Sequence, residues 1–339
     1  MCWPADPCLR RQGRPRGRGA IAGSVDPPAR RSGAAPLPWR AAGGAALAAA
    51  LLLASAAARS APGAPPSAPI EARDDSGAIV RLAAPARRIV SLSPGITELL
   101  FSVGAGDRIV GVSDFSDYPP AARALPRVSR AQGIDLERIA ALRPDLIVTW
   151  GSGYSPALQD ALRRLGVPVY VLETRSFESI ATALERLGRL SGSPSAAATA
   201  AAFRDRLAAL RNRFAQRTAV RIFYQVWSNP IMTLSGAHLA SEAMRACGGR
   251  NVFEDLAPLV ATVDAEAVIA ARPQLILTAE AGGVDHGALD GWKRYPQLPA
   301  VAGGHLVTLD ADTLDRGSVR VLDAVGALCE AVEKARGTP

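Results

Sequence analysis

From Ile70 onward the apolar residues come in short runs, alternating between a period of two and a period near three and a half. "IEARDDSGAIVRL" places two alternating runs around Asp74-Asp75-Ser76-Gly77, which is hairpin chemistry. "RRIVSLS" then reads as a strand. Ser93 is an N-cap and Pro94 a first helical residue, so "PGITELLFSV" predicts a helix stopped by Gly104. "RIVGVS" is a strand, "DLERIAAL" a helix halted before Pro144, and "DLIVTW" a strand. "SPALQDALRRLG" and "VPVYVLE" add one more helix and strand. Strands separated by helices of this length predict a parallel sheet.

The middle of the chain breaks the alternation. "FESIATALERLGRL" is one helix, ended by Gly192 and Pro194. The next runs from about Ser195 to Arg217, with Phe203, Leu207, Leu210 and Phe214 on one stripe; at 1.5 Å per residue it would span about 34 Å. Such a helix, with no strand beside it, reads as a strut between two lobes. The first pattern then restarts with "AVRIFYQVW", "HLASEAMRAC", "AEAVIAA", "PQLILTAE", "HLVTLD" and "SVRVLDAVGALCEAVEKA". The halves can be superposed as text. Glu98 precedes Gly104 by six residues and Glu242 precedes Gly248 by six; "ERIAALRPDLIV" at 137–148 matches "EAVIAARPQLIL" at 266–277. The expected fold is therefore α/β, with two similar lobes of mainly parallel sheet joined by one long rigid interlobe helix. Its expected divisions are 70–175 for the first lobe, 176–217 for the helical segment and 218–339 for the second lobe.

Charge changes the picture at the N-terminus. The chain carries a net +8, but residues 1–58 hold eight Arg against Asp6 and Asp26, a net +6, which leaves +2 for residues 59–339. The basicity belongs to a leader and does not point to a nucleic-acid partner. Arg30, Arg31 and Arg40 form a positive n-region, "AAGGAALAAALLLASAAA" at 41–58 an apolar core too short for a membrane span, and Ala56-Ala57-Ala58 a cleavage site. The leader is longer than export needs, which a true start nearer Val25 would explain. No Cys follows the apolar core, so no lipid anchor is expected, and "SAPGAPPSAP" within 59–69 reads as a disordered spacer. Cys2 and Cys8 leave with the leader. Cys247 and Cys329 remain, and in an oxidising compartment they form one disulfide or stay as two buried thiols.

Catalytic signals are missing. Gly104, Gly106 and Gly111 end a helix and enter a strand, the reverse of a dinucleotide fingerprint. Neither a P-loop nor G-x-S-x-G occurs, and Ser91 and Ser93 read as a strand end and a cap. His238, His286 and His305 are scattered, whereas a metalloenzyme would want three or four convergent ligands. Each reads as a surface or core residue, with His286 the best placed to touch a ligand. What stands out is Trp150 closing "DLIVTW" and Trp227 closing "IFYQVW", one per half. Ligands of parallel sheets bind beyond the carboxyl ends of the strands. Phe115 and Tyr118 after "RIVGVS", and Asp312 and Arg316 after "HLVTLD", would join the same mouth. Core tryptophans and a surface Asp312–Arg316 bridge are the plainer alternatives.

At "IVSLSPGITELLFSVG", "GVSDFSDYPP", "QGIDLERIAALRPDLIVTW", "QVWSNP", "CGGRNVFED" and "DADTLDRGSVR" the chain resembles the periplasmic cobalamin-binding proteins of ABC importers, within the helical-backbone metal-chelate receptors that also carry siderophores and haem. The resemblance runs from about Ile70 to the end. It implies a periplasmic, monomeric, non-enzymatic receptor without a resident cofactor or metal. Such a receptor would carry cobalamin or a related corrinoid to an ABC permease and ATPase at the inner membrane, with lobe motion of only a few degrees. A ferric siderophore or haem receptor is the first alternative and an exported metalloenzyme the second. Phe115, Trp150, Val226 or Trp227, Asp312 and Arg316 fall at pocket positions; Tyr118, Tyr154 and His286 would matter for a haem or siderophore cargo. Glu137 and Glu266 match glutamates that dock on the permease, and Cys247 and Cys329 match a family disulfide. The chain departs from cobalamin binders at Ala131 and near Leu259, where aromatic walls are expected.

Overall fold

The computed structural model describes residues 69–130, 133–214 and 216–337. The leader at 1–58, the spacer up to residue 68, and Ala131 lie outside the described residues. The hairpin forms as the alternation predicts: β1 (Ile70–Arg73) pairs antiparallel with β2 (Ile79–Leu82). Asp74 Oδ1 holds the turn by accepting from Ser76 N at 3.0 Å and Ala78 N at 2.9 Å.

The first lobe continues with β3 (Ile89–Ser91), α1 (Pro94–Ser102), β4 (Ile109–Val112), β5 (Ser129–Arg130), β6 (Gly133–Ile134), α2 (Leu136–Ala141), β7 (Leu146–Trp150), α3 (Pro156–Arg163) and β8 (Val169–Leu172). Four of these strands make a parallel sheet in the order β4-β3-β7-β8. They are buried almost throughout, which is why they read as continuous apolar runs. Two helices follow, α4 (Phe177–Ser191) and α5 (Ala196–Phe214).

The second lobe holds β9 (Val220–Tyr224), β10 (Trp227–Ser228), β11 (Ile231–Leu234), α6 (Leu239–Ala246), β12 (Gly249–Asn251), β13 (Val260–Thr262), α7 (Ala265–Ala271), β14 (Leu275–Glu280), α8 (Pro299–Ala302), β15 (Leu306–Asp310), α9 (Ala311–Leu314) and α10 (Val321–Arg336). Its parallel sheet runs β12-β9-β14-β15. In both sheets the second strand lies outside the first, and the third and fourth follow on the other side, so the textual repeat is a repeat of topology. It extends to the backbone. Arg143 and Arg272, each before its proline, take left-handed φ values of 46° and 47° as α2 and α7 end.

The strut differs from its sequence reading in length and in number. Helix α5 has 19 residues, about 28 Å, and ends at Phe214 rather than Arg217. Ser195 Oγ donates to Val103 O at 2.7 Å at the first lobe, and the Phe214 carbonyl lies against Gly248 of the second. Helix α4 doubles it. The Phe177 amide at its start donates to Glu242 Oε2 of the second lobe at 2.8 Å, and the Phe177 and Phe203 rings meet at 6.4 Å. One apolar cluster runs from Leu146 and Leu172 through Phe177, Phe203 and Leu207 to Leu275 and Leu277. Smaller clusters cover the other faces, around Val90, Ile147 and Leu162 in one sheet and Phe223, Ile276 and Trp292 in the other. A core continuous through the strut resists hinge motion, because packed interiors deform little.

Candidate functional site

The loops at the carboxyl ends of the two sheets meet along one seam. Gly95, after β3, packs so closely on the Arg316 carbonyl, after β15, that a Cβ would lie 1.8 Å from it. Gly317, at φ 58°, leaves no room for a Cβ beside Thr174, which follows β8. Between these contacts, charged groups cross the seam. Arg316 Nη1 donates to Asp117 Oδ1 at 2.7 Å and to Glu98 Oε1 at 3.2 Å, while its Nη2 donates to Asp312 Oδ1 at 2.7 Å. Arg320 Nη1 donates to Glu98 Oε1 at 3.0 Å, and its guanidinium lies 3.9 Å from the Tyr118 ring centroid. Ser318 Oγ donates to Glu98 Oε2. Burial works against the charge of Arg316, but Asp117 and Asp312 beside it raise its pKa on balance. Burial likewise pushes Asp117 up, and the hydrogen bond and charge of Arg316 bring it below the ordinary carboxylate value.

Four of the expected ligand residues present apolar surface to solvent here. Phe115 is 66% exposed and Trp227 54%, with Tyr118 and Val226 also exposed. Phe115 sits at φ 62°, a strained value for a residue with a Cβ. Its loop is held there from below: Arg127 Nη1 donates to Ser113 O at 3.0 Å and Ser116 O at 2.8 Å, and Ser129 Oγ accepts from Asp114 N at 2.8 Å. Trp227 leads a three-stranded flap, β10-β11-β13, and its indole N–H donates to Asn229 O at 2.8 Å. Large apolar side chains held outward by fixed loops, beside a fixed cluster of charge, suit a large ligand with a flat apolar body and a polar periphery.

Trp150 is placed differently. It is half-buried, packs on the main core, and donates Nε1–H to Glu173 Oε1 at 3.0 Å. Gly153 lies on its ring so closely that a Cβ would sit 2.1 Å from Cε3. The plainer alternative for Asp312 and Arg316 fails in part: they are paired, yet Arg316 is mostly buried and also holds the opposite lobe. His286 Nδ1 lies 2.6 Å from Glu280 Oε2, and Tyr154 donates to Leu92 O at 2.7 Å. His238 caps α6 by accepting from Ala240 N at 3.1 Å. Among the described residues, no group of three or more His, Cys, Asp or Glu is arranged to hold a metal ion. The seam residues that the sequence reading passed over are Glu98, Asp117, Ser318 and Arg320. A signal for two of them was present: Ser318 and Arg320 lie within four residues of Arg316 in "RGSVR", directly after the strand end that marked Arg316.

Glu137 and Glu266 occupy the first turns of α2 and α7, both exposed, both behind an Asp N-cap: Asp135 accepts from Arg138 N and Asp264 from Ala267 N. Among the described residues neither enters an ion pair. Cys247 at the end of α6 and Cys329 in α10 are bonded, at an S–S distance of 2.07 Å.

The family model described as periplasmic binding protein matches residues 89–313. The chain belongs to the periplasmic binding protein family. As a member of it, the chain is a solute-binding protein and not an enzyme. A vitamin B12-binding protein of Vibrio parahaemolyticus is 38% identical over 253 residues, 74% of this chain and 91% of its own length. The crystal structure of a periplasmic vitamin B12-binding protein of Vibrio cholerae superposes with a TM-score of 0.67 at 38% identity, over 75% of this chain and 99% of that one. A periplasmic heme-binding protein from Roseiflexus sp. RS-1 superposes with a TM-score of 0.65 at 24% identity, over 74% and 99%, and shares the fold. The two-lobed α/β architecture thus recurs in receptors named for different ligands.

Proposed function

We propose that this chain captures cobalamin or a related corrinoid between its lobes and delivers it to an ABC import permease. The observation that carries this reading is the set of exposed apolar side chains, Phe115, Tyr118, Val226 and Trp227, held at the carboxyl ends of the sheets beside Asp312 and Arg316. The similarity to vitamin B12-binding proteins over nine-tenths of their length supports it. The corrinoid is cargo here and not a cofactor. The leader at 1–58 directs export to the periplasm and is removed, and 59–69 is a spacer. Residues 70–175 and 218–339 are the two lobes, carried on the helical segment at 176–217. Cys247 and Cys329 tie α10 to α6 in the oxidising periplasm. The receptor works as a monomer and docks through Glu137 and Glu266, one on each lobe. Leu259, exposed before β13, leaves the flap side of the cleft aliphatic where an aromatic wall would otherwise stand.

Calorimetric titration of the purified protein with cyanocobalamin tests the cargo. One-to-one binding with a dissociation constant below about 1 μM is expected, corresponding to about 8 kcal/mol. Heat absent at that concentration would reject a corrinoid, and hemin and a ferric siderophore would be titrated next.

A further inference from the structure

The paired glutamates of the repeat, Glu98 and Glu242, are equivalent in place, and each bonds across to the other half of the molecule. Each lies on the first long helix of its lobe, six residues before a glycine of left-handed φ, 77° at Gly104 and 71° at Gly248. Glu98 is 2% exposed and reaches out of the first lobe. Its carboxylate takes Ser318 Oγ, Arg316 and Arg320 immediately ahead of α10, the helix that closes the second lobe. Ser318 Oγ in turn accepts from Arg320 N at 3.3 Å. Glu242 does the converse. It leaves the second lobe to accept from the Phe177 amide at the start of α4, the helix that follows the last strand of the first lobe, and from Arg211 Nη2 of α5 at 2.7 Å. Glu242 therefore meets the N-terminal end of α4, where unpaired N–H groups and the helix dipole favour negative charge, and Glu98 is held by side chains of the segment that leads into α10.

We propose that Glu98 and Glu242 are crossed clasps that set the spacing of the lobes before any ligand arrives, and that Glu98 is a positioning residue for Arg316 at the cleft. The chain contacts run across 218 to 222 positions for Glu98 and 65 for Phe177–Glu242, so neither is a local cap. The two clasps are unequal. Glu98 has three side-chain partners and is buried, whereas Glu242 has one side-chain and one main-chain partner and is partly exposed. Among the described residues, removing the Glu98 charge leaves Arg316 held by Asp117 and Asp312, and Arg320 against Tyr118. Breaking one member of a buried charge cluster is more disruptive than its net contribution implies, because the remaining charges stay buried.

The positioning part rests on the corrinoid-cleft reading; the clasp itself does not, and the test separates them. Nitroxide labels are placed at the exposed positions Arg164→Cys and Ala257→Cys in the full chain, with Cys2 and Cys8 changed to Ser. Interlobe distance distributions are then measured by pulsed electron resonance. Without ligand, the Glu98 and Glu242 parent should give one narrow peak. Glu98→Gln should broaden it, Glu242→Gln should broaden it less, and the double variant should broaden it most. Cyanocobalamin should narrow all three again. If the binding-competent fraction falls to about a tenth, the apparent dissociation constant rises about tenfold. An unbroadened double variant overturns the proposal. Should Glu98→Gln not fold, Glu242→Gln alone decides, with an unchanged peak counting against the clasp. A parent protein that does not bind cyanocobalamin rejects the cargo, while the ligand-free widths still decide the clasp.

Discussion

Trp150 ends a strand of one lobe's sheet and Trp227 follows a strand of the other's, yet their surroundings assign them different work. Trp227 is exposed, its indole N–H bonded across its own turn and its face open. Trp227→Ala should cost about 1–3 kcal/mol of corrinoid affinity, the range for losing one large aromatic contact. Its thermal unfolding midpoint should stay where it was. Trp150 packs on the core under Gly153 and bonds to Glu173. Trp150→Ala should weaken binding by about 1–3 kcal/mol as well, but should also destabilise the fold by about 2–4 kcal/mol through the cavity it leaves. Calorimetry and thermal unfolding on the same two preparations check both. If Trp227→Ala left the titration unaltered, the flap would not touch the cargo.

At the scale of elements, the start of α6 makes a pH-dependent contribution. His238 caps that helix through Nδ1, and burial lowers its pKa from 6.5 to about 4. Between those values the unfolded chain binds the proton and the folded chain does not, so stability falls as pH drops from about 6.5 toward 4. The loss should reach about 3 kcal/mol at most. His238→Asn keeps an acceptor at the cap and should flatten that part of the profile, read as urea unfolding at pH 4.5 and 7. An identical slope in the variant would assign the dependence to the carboxylates. The longer helices were legible, because period and punctuation are local. Seven of the eight parallel strands, the hairpin and α5 stand where the apolar runs place them, with α5 ending three residues early; β12, the polar "GRN" at Gly249–Asn251, has no apolar run to read. The second helix of the strut was not legible as a strut. Its bond to Glu242 spans 65 positions, and nothing in the period of "FESIATALERLGRL" says which lobe it will touch. The site divided the same way. Phe115, Trp227 and Arg316 could be named from strand ends, whereas the partnership of Arg316 with Glu98 lies 218 positions away and needed the fold.

For the whole molecule, the repeat places Glu137 and Glu266 on equivalent surfaces, each in the first turn of a short helix leading to the third strand of its sheet. Both are exposed and unpaired among the described residues, while buried acids such as Glu98 are committed to internal bonds. A first-turn glutamate gains only a few tenths of a kcal/mol from the helix dipole, up to about 1, so its loss cannot unfold either lobe. In the proposed docking, two such carboxylates on a body whose core runs unbroken through the strut would make a two-point contact of fixed spacing. Fixed spacing matters because the second contact then forms at high effective concentration once the first is made. Changing one site should therefore reduce uptake in part, and changing both should abolish it. Glu137→Arg with Glu266→Arg should leave the cyanocobalamin titration within error of the parent while stopping radiolabelled vitamin uptake in cells that depend on this receptor. Charge reversal is the sharper choice, since it opposes arginines on a partner and does not merely remove a bond. Normal uptake in the double variant would exclude these glutamates from docking and leave the cleft reading untouched.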